Sequence, residues 1–292
     1  MSIKDYEFWF VVGTQFLYGE DIFETINSHA QEMCAEWSSK MPCRIIVKPC
    51  VKISKEILDI FRAANADDKC AGVITWMHTF SPSKAWIAGF NALQKPYLHV
   101  NTQYNRDIPW QDIDMDFMNL NQSAHGDREH GFIAARMRLK RKVAAGYWKD
   151  EDFQKKMETW MRAAVGAAES KKVHVLRISD NMRNVAVTDG DKVEAQIKLG
   201  WQVDHYGVGD IIKEVNAVTD EEIDAQMAEY EKNYIMDTDN IDAVRYQARE
   251  EVAIKKFMDR YDFNAFHTNF EDLQELRQLP GLAAQDLMRQ GY

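Results

Sequence analysis

YEFWFVVG, residues 6–13, is an almost unbroken apolar run rich in aromatic and β-branched side chains. Such a run suits a strand buried on both faces, the setting of a parallel sheet. The loop Gly13-Thr14-Gln15-Phe16-Leu17-Tyr18-Gly19 follows, and then Asp21–Trp37 reads as a helix with Ile22, Ile26, Met33 and Trp37 at helical spacing. The alternation continues with a strand Arg44–Val51, a helix Lys55–Ala64 capped by Ser54, a strand Gly72–Met77, a helix Ser83–Leu93 and a short strand Tyr97–Val100. Strands alternating with helices through short connections imply a parallel sheet with right-handed crossovers.

After a helix over Asp150–Ala168 the pattern restarts at Lys172–Ile178 (KVHVLRI). It runs through a loop Ser179–Arg183, a helix Lys192–Leu199, a strand Gln202–Tyr206, helices near Thr219–Tyr230 and Ile241–Tyr261, and a strand Ala265–Thr268. The fold class expected is α/β, as two consecutive doubly wound, Rossmann-like domains with mainly parallel sheets. The N-terminal α/β domain is placed at residues 1–171 and a central α/β domain at 172–292. Leu279-Pro280-Gly281-Leu282 opens a last helix with Leu282 and Leu287 as its apolar face, and the chain stops at Gly291-Tyr292. That ending reads as a cut, with the central domain incomplete at its C-terminus.

The 292 residues carry a formal charge of -10, which argues against nucleic acid as a partner. The basic run Arg138–Lys142 (RLKRK) is read as a solvated helix end rather than a phosphate patch. No apolar run approaches the roughly 20 residues that span a bilayer. The start MSIKDYEFWFVVG lacks the plan of a signal peptide, and Cys34, Cys43, Cys50 and Cys70 show no C-x-x-C spacing. A cytoplasmic protein without membrane contact, its thiols reduced and buried, is the expectation.

In a parallel sheet the ligand crevice lies beyond the carboxyl ends of the strands. Three segments leave those ends, Gly13–Gly19, Met77–Ser83 and Asn101–His125, so Gln15, Tyr18, His78, Gln103 and His125 are expected on one rim. The densest polar stretch is Asp114–Arg136 (DMDFMNLNQSAHGDREHGFIAAR), read as a polar loop feeding a helix that begins near Gly131. Such a loop holds a polar small molecule or merely caps the helix. The turn after the first strand lacks G-x-G-x-x-G spacing and so does not cradle a pyrophosphate. Gln15 and Tyr18 there can serve sugar or polyol hydroxyls, or belong to an ordinary connector. His125 and Glu129, four apart, can face a metal together or pair on the surface. His78 and His267 each follow a strand and can be ligands or backbone partners, the acids Glu271 and Asp272 are adjacent, and Asp189-Gly190-Asp191 reads as a turn and helix cap.

Five segments in order then carry a resemblance over the whole chain: WFVVGTQFLYG (9–19), WMHTFSPSKAWI (76–87), DIDMDFMNLNQSAHGDRE (112–129), DNMRNVAVTDGDKVEAQIKLGW (180–201) and FEDLQELRQLPGLAAQDLMRQGY (270–292). The chain resembles the L-arabinose isomerase family. The resemblance implies an enzyme, a cytoplasmic aldose–ketose isomerase of L-arabinose catabolism. It converts L-arabinose to L-ribulose, and also D-galactose to D-tagatose, through an enediol assisted by bound Mn²⁺. It further implies a homohexamer, and a C-terminal β-rich domain absent from this chain. By position, Gln15, Leu17 and Tyr18 match residues lining the sugar pocket. His125 matches an imidazole reaching a neighbouring subunit's site, and Met182 and Phe270 match apolar wall residues. The family's metal ligands and acid–base residues match positions beyond Tyr292, so no metal ligand or catalytic residue is assigned within the chain, which is expected to be inactive alone. Two alternatives stand beside the isomerase: a metal-less paralogue assembling with full-length subunits, and a cytoplasmic sugar-binding module.

Overall fold

The computed structural model describes residues 2–292. The chain forms two compact units, divided between Ala168 and Glu169. In the first, β1 (Glu7–Gly13), β2 (Arg44–Val47), β3 (Cys70–Met77), β4 (Tyr97–Asn101) and β5 (Arg141–Ala145) make one sheet, in the order β2-β1-β3-β4-β5 with every pairing parallel. The two-residue period of β1 explains its composition. Phe8, Phe10 and Val12 join a core with Trp37, Trp76 and Leu98 on one face. Trp9 and Val11 join Phe61, Val73, Trp86 and Phe90 on the other. The first core is covered by α1 (Glu20–Ser38) and α6 (Glu151–Ser170), the second by α2 (Ser54–Ala66) and α3 (Ile87–Ala92).

Several expectations need correction. Ser54 is the first residue of α2 and caps nothing; instead the Glu56 carboxylate accepts from Lys52 N at 2.7 Å. The helix expected over 83–93 opens as a 3₁₀ turn, Ser83–Trp86, before α3. The Asp114–Arg136 stretch is no loop feeding a helix at Gly131. It is two helices, α4 (Met115–Leu120) and α5 (Ser123–Arg136), broken only at Asn121 and Gln122. The basic run is a helix end only in part: Arg138, with φ 53°, closes α5, its N donating to Ala135 O, whereas Arg141–Lys142 enter edge strand β5.

In the second unit β6 (His174–Ile178) lies between β7 (Gln202–Tyr206) and β8 (Ala265–His267), again all parallel. Leu176 and Ile178 point into a core made by α8 (Val208–Ala217), α9 (Asp220–Asn233), α10 (Ile241–Tyr261) and α11 (Gly281–Gln290). Thr219 caps α9 in a capping box with Glu222, and Asp191 caps α7 (Lys192–Leu199) as the sequence predicts. The helix α8 went unanticipated, although Val208, Ile211, Ile212 and Val215 recur at helical spacing and are all buried. The four cysteines are free and buried, and burial pushes the Cys50 thiol up to about 12 and that of Cys70 to about 11.

β1 and β3 are neighbours although β2 lies between them in sequence, so the order reverses at this pair. Their carboxyl ends are tightly fitted. A Cβ on Gly13 would stand 2.6 Å from both Ser81 Oγ and Trp86 Cζ2. Gly13→Ala must therefore displace the 77–83 segment, and it is expected to cost about 1–3 kcal/mol. Urea unfolding curves check this; an unchanged midpoint would show that the segment yields freely.

Candidate functional site

The crossing point between β1 and β3 gathers the polar segments. Thr14 is buried, its hydroxyl 2.7 Å from that of Thr79, which joins the chain leaving β1 to the chain leaving β3. Gln15 is extended and half-buried, and Phe16–Tyr18 form one 3₁₀ turn in which Leu17 is 81% exposed and Tyr18 half-buried. The side chains of Gln15 and Tyr18 make no hydrogen bond among the described residues, so their polar atoms are free for a ligand.

The segment after β3 is locked to α5. Gln122 N donates to His78 O at 3.0 Å, and Gly126 of α5 is packed so closely that a Cβ would lie 2.9 Å from that of Met77. This places His125 outward, stacked on Phe80 at 4.6 Å with Nδ1 3.3 Å from Gln122 Oε1. His78 is buried against Trp76 with Nε2 2.7 Å from His29 Nδ1. Burial, followed by the nearby His29, holds His78 down to about 3, so it stays neutral. Buried polar atoms of His78 (Nδ1), Gln103 (Oε1), Asn121 (Oδ1) and Ser123 (Oγ) lack a partner among the described residues. Unsatisfied buried groups of this kind are what a polar ligand or ordered water completes.

Of the five residues expected on this rim, the structure ties His78 to His125 through Gln122, and places Gln15 and Tyr18 beside Thr14. The pair His125 and Glu129 does not act together: Glu129 Oε2 accepts from Ser83 N at 2.8 Å, while His125 is engaged as described. Among the described residues no three His, Cys, Asp or Glu side chains gather as a metal site. The residues present therefore do not fit Mn²⁺.

In the second unit Met182 and Phe270 lie on two loops that polar contacts stitch together. Asn269 Nδ2 donates to Asp180 O at 2.9 Å, Arg183 N donates to Glu271 Oε2 at 2.8 Å, and the Ser179 hydroxyl donates to Asp272 Oδ2 at 2.7 Å. Ser179 holds a φ of 67°, a left-handed conformation rare outside glycine. The loops leave the carboxyl ends of β6 and β8, so Met182 and the 58% exposed Phe270 share one end of the sheet. Met182 lines a cavity of about 340 Å³ with Arg177, Asn181, Thr188 and His267. Burial and then the Arg177 charge lower the pKa of His267. Sequence reasoning missed Ser179, Asn269 and Arg183, whose positioning roles carry no motif. Glu271 and Asp272 do bind different partners, as adjacent acids should.

Each unit is an α/β fold with a parallel sheet and presents amide, hydroxyl and apolar side chains beyond its strand ends, where such folds usually place a small-molecule site. Comparison with known proteins narrows this. The profile of the L-arabinose isomerase N-terminal domain matches residues 2–172, and that of the L-arabinose isomerase central domain matches 174–292. An L-arabinose isomerase of Shouchella clausii is 54% identical over 288 residues, covering 98% of this chain and 59% of the relative. Those of Thermotoga petrophila (51%) and Bacillus subtilis (50%) are matched over all of this chain and 60% of their own length. The chain belongs to the L-arabinose isomerase family. It spans about 60% of the length of these curated relatives. No helix among the described residues is long and apolar enough to cross a membrane.

Proposed function

We propose that this chain is the sugar-holding part of an isomerase that interconverts L-arabinose and L-ribulose, and accepts D-galactose to give D-tagatose. The observation that supports the reading best is the match of two consecutive domain profiles of one enzyme, in order, over nearly all of the chain. In this reading Gln15 and Tyr18 take the sugar's hydroxyls, their polar atoms being free. Leu17, Met182 and Phe270 supply apolar wall against its C–H face, and His125 is offered outward to the site of a neighbouring subunit in a homohexamer. Neither rim brings together a base and an acid suited to moving protons between C1 and C2. Those groups, and the ligands of the Mn²⁺ the complete enzyme uses, belong in this reading to a segment these residues do not include. The setting proposed is the cytoplasm, where arabinose is broken down.

A fusion tests the reading: residues 1–292 joined to the rest of the Shouchella clausii relative, assayed with L-arabinose and Mn²⁺. L-Ribulose is expected from the fusion and not from the 292-residue chain alone. Tyr18→Phe and His125→Gln are expected to raise KM in the fusion. A folded fusion that forms no ketose would count against the substrate assigned. Ketose made by the isolated chain would overturn the placement of the catalytic groups.

A further inference from the structure

The basic run Arg138–Lys142 lies outside the sugar rim, and the structure gives part of it a different use. β5 is the edge strand of the first sheet, and Lys142 stands opposite Leu98, on the face covered by α6. There it borders a cavity of about 520 Å³ between β5 and α6, with Asp152, Lys155, Lys156, Thr159 and Trp160 along one stripe of the helix. That volume is in the range of about 300–1,000 Å³ of small-molecule sites.

The positive charges of this groove outnumber the negative. None of Lys142, Lys155 and Lys156 forms an ion pair among the described residues; Lys156 Nζ donates to Ala145 O at 3.2 Å. Three ammonium groups against the single Asp152 carboxylate leave two positive charges, in a chain whose net charge is -10. A phosphate monoester carries about −1.5 to −2 near neutral pH and so matches that excess. The groove also has a flat apolar end. The Trp160 indole is wedged against Phe8 at 5.2 Å and beneath Gly72, where a Cβ would meet its Cη2 at 2.9 Å, and it stays half-exposed to the groove. Four residues of helix place Trp160 about 6 Å along the axis from Lys156. A ring stacked on the indole then puts its phosphate among the lysines.

We propose that this groove binds a small phosphate monoester whose organic part is a flat ring, a nucleoside monophosphate. The site is separate from the loops that follow β1 and β3, so it stands or falls independently of the sugar assignment.

Adenosine 5′-monophosphate, titrated by calorimetry into the full 292-residue chain at low salt, is the probe. Saturable binding is expected, weakening as salt rises, with inorganic phosphate and adenosine each bound at least tenfold more weakly. Lys142→Gln with Lys155→Gln changes two exposed side chains and should leave the melting temperature unchanged while lowering affinity at least tenfold. Absence of saturable binding would overturn the proposal, as would equal affinity for inorganic phosphate. Undiminished binding by the double variant would overturn it too, and its unchanged melting curve would rule out misfolding as the cause of any loss.

Discussion

Glu250→Gln is expected to make the second unit markedly less sensitive to alkaline pH. Glu250 sits on α10 with 1% of its surface exposed; its Oε2 accepts from Gln247 Nε2 at 2.8 Å, and Oε1 has no partner among the described residues. The side chain lies beside a small cavity lined by Ile178, Ile211, Ile254 and Leu276. Burial dominates, pushing the carboxyl up to about 8 from an ordinary value of 4.5, with Gln247 and Arg277 pulling weakly the other way. Because the folded pKa is raised, its contribution to stability is fully present below about pH 4.5 and is lost as pH rises through about 8. That loss is on the order of 5 kcal/mol, at about 1.4 kcal/mol for each pH unit separating the two values. Glutamine cannot ionise, so the variant should keep this increment at pH 9. Glu251, raised to about 7 chiefly by burial, acts in the same direction and leaves a residual slope. Urea unfolding at pH 5, 7 and 9 measures it; parallel pH curves for both proteins would show that Glu250 ionises without penalty.

Asp127→Ala is expected to destabilise the first unit by about 3–5 kcal/mol, the cost of breaking a buried ionisable pair. Asp127 Oδ1 lies 2.7 Å from His99 Nε2, and both side chains are buried. His99 Nδ1 continues to the Thr75 hydroxyl at 2.9 Å, Thr75 donates to Tyr97 Oη at 3.1 Å, and Tyr97 is hydrogen-bonded to His130. Alanine leaves one end of that chain unsatisfied, whereas Asp127→Asn keeps a polar partner and should recover much of the loss. Burial pushes the Asp127 carboxyl up, against the pull of His99, so a neutral amide is less costly at this position than alanine. Equal midpoints for the alanine variant and the parent would mean that water replaces the carboxylate without cost.

What could be read in advance follows from how local each signal is. β1 declares itself because both its faces are apolar, and that alone implies helices on either side. The rim followed from topology: once the strands are parallel, the loops that leave them must share an end. The 114–136 stretch was misjudged because its polar side chains look like loop. In the fold, Ser123, Asp127 and His130 turn inward, so a helix is buried on a polar face. No apolar periodicity announces that. The stitching of 179–183 to 269–272 was equally invisible, since it depends on residues some 90 positions apart, Ser179 with Asp272 among them. The basic run covers both a helix end, at Arg138, and an edge strand, at Arg141–Lys142, and charge looks the same on either.

The two-sided character of α5 constrains anyone altering this protein. His125 is offered outward, while Gly126, Asp127, His130 and Ala134 of the same helix are sealed inside. Variation at these positions is therefore not independent. A library meant to change the preferred ligand can diversify Gln122, His125 and Arg128, which face out or sit at the helix start, but should hold these sealed positions and the equally buried Ser123 constant. Randomising the whole helix would chiefly sample unfolded chains, and altered recognition would be lost among them.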